Sequence, residues 1–113
     1  MVRNNRIIPN KHFLYLLSKS KPAYRKRLLE IATKEELKAI IDIIFNITNG
    51  VIKISPNLIN KGKRHRNIIR KLIKPRGSVA EKRKLLIQRG NGFLPLLMIP
   101  SLIKSAIDLI SGK

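Results

Sequence analysis

The sequence predicts an all-α protein, a small helical bundle with basic helices and, after a glycine hinge, an apolar C-terminal helix. Three observations carry that expectation. Isoleucine and leucine recur at helical spacing in successive segments, Ser/Thr-x-x-Glu signatures stand at Thr33 to Glu36 and Ser78 to Glu81, and prolines and glycines fall where helices would begin and end. At 113 residues the chain suffices for one domain and is too short for two substantial ones.

The first helix begins after Pro9-Asn10, sets Phe13, Leu16 and Leu17 on one face, and stops at Ser18-Lys19-Ser20. A second opens around Pro22, with Tyr24, Leu28 and Ile31 inward and Arg25, Lys26 and Arg27 outward. The third is the strongest: after the capping box at Thr33, Leu37, Ile40, Ile41, Ile44 and Thr48 keep helical register. Ile43, Phe45 and Ile47 widen that stripe until Asn49-Gly50 stops it, so the surface should be largely buried. Val51 to Ile54 reads as a short extended link, and Ser55-Pro56 supplies an N-cap and a first-turn proline. The helix opened there carries Leu58, Ile59, Ile69, Leu72 and Ile73, and Gly62 interrupts it at a cost of about 1 kcal/mol relative to alanine. Pro75-Arg76-Gly77 ends it, and a fifth helix runs from the Ser78 box to Gly90-Asn91-Gly92. Three regions result within one compact domain: an N-terminal helical core over 1–54, a basic helical region over 55–89 and an apolar C-terminal segment over 90–113.

Charge narrows the partners. Lys and Arg number 25 against six acids, a formal net charge of +19, and such a field favours a polyanion, whether nucleic acid or an anionic membrane surface. Because 43% of the residues are hydrophobic, the chain is not a disordered basic tail. The absence of cysteine excludes disulfides and thiolate metal sites, which fits a reducing compartment, and Met1 to Pro9 lacks the apolar stretch of a secretory signal.

Little supports catalysis. Glu30, Glu35, Glu36, Asp42, Glu81 and Asp108 mostly sit where they cap helices or balance lysines. His12 and His65 stand far apart without ligand spacing, and no phosphate-cradling glycine motif occurs, so no metal, cofactor, small-molecule substrate or enzyme activity is expected. The basic segment is the sharper signal. From Ile43 through Ala80 no acid occurs, while Lys61, Lys63, Arg64, Arg66, Arg70, Lys71, Lys74 and Arg76 crowd together, succeeded by Lys82, Arg83, Lys84 and Arg89. These twelve are the candidate phosphate contacts, giving salt-sensitive, sequence-independent affinity. No base-reading motif is present, and only five aromatics are available for stacking.

The tail needs its own account. Gly90 through Ile103 is uncharged, shorter than the roughly 20 apolar residues that span a bilayer, and Lys104 and Asp108 interrupt the apolar run beyond it. Phe93, Leu94, Leu96, Leu97, Met98, Ile99, Leu102, Ile103, Ile107 and Ile110 either pack on the preceding helices or lie in a membrane interface, and composition leaves both open.

The order Arg89-Gly90-Asn91-Gly92-Phe93-Leu94-Pro95-Leu96-Leu97-Met98-Ile99-Pro100-Ser101-Leu102-Ile103 resembles the junction in precursors of the adenovirus core protein X (mu) family. There an arginine-rich segment meets a glycine pair, an apolar Leu-Pro-Leu-Leu and a second proline. Small basic proteins of Maverick/Polinton elements and adintoviruses look similar. The resemblance implies a virion core component that neutralises and condenses double-stranded DNA, located in the virion and in the host nucleus during assembly, with capsid proteins as further partners. It also implies a protease-processing point at Gly90, Asn91 and Gly92. The long N-terminal half, whose capped Ile/Leu-rich helices suggest a folded bundle, departs from that family's pattern, as does the mixture of Lys with Arg. Two other readings stand beside this one: a membrane-active protein working through its C-terminal segment, and a capsid cement or adaptor that pairs with another chain through the Leu37–Ile47 face.

Overall fold

The structure is a computed structural model that describes residues 6–50 and 52–111, with the backbone alone for 91–93, 96–97 and 110–111. Val51 and the side chains of Asn91, Phe93, Leu96, Leu97 and Ile110, together with Gly92's surroundings, lie outside the described residues. In chain order the helices are α1 (Lys11–Lys19), α2 (Pro22–Ile31), α3 (Lys34–Thr48), α4 (Pro56–Gly62), a 3₁₀ turn (Lys63–His65), α5 (Arg66–Ile73), α6 (Val79–Leu97) and α7 (Pro100–Ser111). No strand occurs among the described residues, and the all-helical expectation is met.

Local chemistry sets most boundaries. The Thr33 hydroxyl accepts from the Glu36 amide at 3.1 Å while the Thr33 amide donates to Glu36 Oε1 at 2.8 Å, so the predicted capping box closes reciprocally and starts α3. Gly50 stops that helix at φ +74, a conformation costly for a residue with a Cβ. Ser55 caps α4 through the Leu58 amide, and Ser78 caps α6 through the Glu81 amide at 3.1 Å. The fourth predicted helix is present in two pieces: α4 tightens into the 3₁₀ turn immediately after Gly62 and resumes as α5.

α3 is the centre of the bundle. Leu37, Ala39, Ile40, Ile43 and Ile44 are completely buried, and they meet Leu14 and Leu17 of α1, Leu72 of α5, and Leu86 and Leu94 of α6 in a single core. At about 1.5–3 kcal/mol per fully buried aliphatic side chain, this cluster is the main source of stability. It draws on all three sequence regions, because Ile103, Ala106 and Ile107 of α7 belong to it and α7 packs against α1. The Cα radius of gyration is 12.7 Å, against about 13 Å expected for a folded chain of this length, so the positive charge leaves the bundle fully compact.

Two expectations about helix faces need correcting. On α2, Tyr24 and Ile31 are 67% and 78% exposed, while Arg25 and Leu29 are buried. The helix is rotated about one residue from the predicted face because it packs on α6 through Leu29. The Arg25 guanidinium turns inward to donate Nη2 to the Ser20 carbonyl at 2.9 Å, just past the end of α1, and burial lowers its pKa from the ordinary value. On α1, Leu16 is 54% exposed and Leu14 takes the core position expected of it.

The glycine hinge is the third correction. α6 runs unbroken through Gly90 to Leu97, and the chain turns instead at Met98-Ile99, where Pro100 opens α7. Gly90 is buried, and a Cβ there would stand 2.7 Å from Leu94 Cδ1. Leu94, one turn further on, leans back over Gly90 into the core, so the glycine provides close packing.

Candidate nucleic-acid interface

α5 is amphipathic in the way a cationic surface needs. Ile69 and Leu72 are buried and Ile68 and Ile73 half-buried, which leaves Arg66, Arg70 and Lys71 facing solvent. Lys61, Lys63, Arg64, Lys74 and Arg76 are exposed as well, so all eight cations between 61 and 76 lie outside the core. Nothing between Ile43 and Ala80 carries a negative charge to neutralise them. Glu35 and Asp42 meet Arg6 at 3.0 and 3.7 Å, and Asp42 also shares a cleft with Lys74 and Lys82, so acids border the cationic group at its 74–82 end.

α6 packs against both α4 and α5, bringing the second cationic group beside the first. Lys82 Nζ donates to the Lys74 carbonyl across the 74–78 loop, joining the end of α5 to the start of α6. Lys84 and Arg89 are exposed on α6. Arg83 differs from the other candidates. It shares the inward stripe of Leu86, Gly90 and Leu94, and its Nη1 reaches the carbonyls of Leu29 and Ala32 at 2.8 Å each and Glu30 at 3.2 Å. A cation at these carbonyls closes the C-terminal end of α2, where helix carbonyls lack partners and the dipole is negative. Arg83 is thus spent on joining α6 to α2.

Of the predicted tail residues with described side chains, Leu94, Leu102, Ile103 and Ile107 are buried and Ile99 packs partly against the core, while their neighbour Leu109 is 52% exposed. No helix among the described residues is long and apolar enough to cross a membrane. Gly90 sits inside a helix, so a protease would reach Gly90-Asn91-Gly92 only after α6 unwound locally. The broad α3 face that could have paired with another chain is likewise consumed by the protein's own core.

Among the described residues no group of His, Cys, Asp or Glu is arranged to hold a metal ion. What sequence reasoning missed is a cleft beside the basic helices, lined by Ile54, Leu58, Ile59, Lys63, Arg66 and Arg70 among others, with a volume of about 420 Å³. The signal was present in the spacing of Lys63, Arg66 and Arg70, which repeats at i, i+3, i+7 and so sets one cationic row along a helix face. Taken together, the geometry defines a compact helical bundle that carries a dense group of exposed cations over 61–76. No family model, curated protein or solved structure matches this chain.

Proposed function

We propose that this protein binds duplex DNA without sequence preference and condenses it, serving as a core protein of a virus or virus-like transposon. The observation that carries the reading is the run of eight exposed cations over 61–76, in a folded stretch of sequence without a single acid. Each cation that meets a phosphate releases condensed counterions, which supplies affinity regardless of base sequence. A rigid bundle presents these charges together, without the ordering cost that a disordered basic tail would meet on binding. The virion setting, with capsid proteins as neighbours and nuclear assembly, rests on the resemblance of the Arg89–Ile103 stretch to the core protein X precursor family.

The test is affinity for a random duplex across a salt series, for the protein and for a variant with Arg66, Arg70, Lys71 and Lys74 changed to Ala. Each lost phosphate contact should reduce the slope of log K against log salt by about 0.9, so the fourfold variant should lose roughly 3 to 4 units of slope. An unchanged slope removes these residues from the interface. Binding by the parent protein that is insensitive to salt defeats the reading altogether.

A further inference from the structure

The cleft against α4 and α5 is suited to a ligand that DNA does not resemble. Its floor and sides are apolar, with Ile54, Leu58 and Ile69 contributing partly buried or buried surface and Ile59 left 46% exposed. A phosphodiester backbone offers nothing apolar to cover them. Lys63, Arg66 and Arg70 line the same cleft, and no acid among its lining residues offsets them. At about 420 Å³ it falls within the roughly 300–1,000 Å³ range of small-molecule sites, which are mostly apolar with a few placed polar groups.

Gly62 supplies an independent observation. It has ordinary helical geometry at φ −70, and a Cβ built on it meets nothing within 4 Å. Neither backbone conformation nor crowding therefore requires glycine, although glycine weakens the helix by about 1 kcal/mol relative to alanine. Gly62 is one of the residues lining the cleft, and a side chain placed there would have open space around it.

We propose that this cleft binds a single-chain anionic amphiphile of the fatty-acid class, with its alkyl chain against the isoleucines and its carboxylate held by Lys63, Arg66 and Arg70. The size of the space and its combination of apolar residues with three cations match one flexible chain with one charged head. Occupancy would draw three cations away from the DNA-facing set, yet the site does not depend on DNA binding being correct.

The experiment is calorimetric titration of the full chain with decanoate, dodecanoate and dodecanol, each below its aggregation concentration. Saturable one-to-one binding of dodecanoate is expected, about fifteenfold tighter than decanoate at roughly fourfold per methylene. Dodecanol should bind at least tenfold more weakly than dodecanoate. Gly62→Leu should narrow the cleft and weaken dodecanoate at least tenfold while the melting temperature holds or rises, and Lys63→Gln/Arg66→Gln/Arg70→Gln should bring dodecanoate down to the affinity of dodecanol. The proposal is overturned by no dodecanoate binding, by equal affinity for the alcohol, or by full affinity in folded Gly62→Leu. Adsorption to phosphatidylglycerol vesicles without binding of free dodecanoate overturns it too, since that would indicate a membrane-surface site.

Discussion

Replacing Arg83 with Met separates a structural cation from a DNA-contacting one. The substitution keeps most of the aliphatic stem and removes the guanidinium that Leu29, Glu30 and Ala32 share. A hydrogen bond from a charged donor contributes about 1.5–3 kcal/mol. Two of the three contacts here are part-buried, while the Glu30 contact is exposed and adds little. Releasing the ordered side chain returns up to about 2 kcal/mol of conformational entropy, so a net loss of about 2 kcal/mol is expected. For a chain of this size each kcal/mol moves the melting temperature by about 4 °C, which predicts a fall of about 8 °C by differential scanning calorimetry. The DNA salt slope should stay the same, measured at a temperature where the variant is folded. A melting temperature that moves by less than about 2 °C, or a slope that drops by about 0.9, would refute the clamp and return Arg83 to the phosphate contacts.

Two more substitutions test the packing of the C-terminal third. Ile103→Ala, at a completely buried position of α7, should cost about 2–5 kcal/mol in denaturant unfolding; a loss near zero would mean that α7 is not part of the core in solution. Gly90→Ala sets a helix-propensity gain of about 1 kcal/mol against overpacking of about 1–3 kcal/mol where the new Cβ meets Leu94. Net destabilisation of up to about 2 kcal/mol is expected, and a full 1 kcal/mol of stabilisation would contradict the close approach.

Features that depend on a few consecutive residues were legible in the sequence. The Thr33–Glu36 box is a contact across three positions, Gly50 needs only its own φ, and the α3 stripe is apolar so broadly that any bundle would bury it. The cationic surface was legible for a similar reason, since eight cations in an acid-free stretch cannot enter a core and must face water. The faces of α2 were less so. Tyr24, Leu28 and Ile31 make as good an apolar stripe as Leu29 and Ala32, and α6 selects between them from more than fifty residues away through Arg83.

The sequence by itself therefore determined an all-helical, strongly basic protein, where most of its helices start, and which segment carries its unbalanced charge. Tertiary structure decided what a residue's local chemistry leaves undetermined. A glycine is compatible with a bend, an open cleft or a close contact, and only the atoms beside it distinguish Gly62, with nothing near its missing side chain, from Gly90 beneath Leu94. In the same way, Arg83 is held by carbonyls distant in sequence while exposed neighbours such as Lys84 face water. Burial and partner geometry are long-range properties, and they form only when the helices pack.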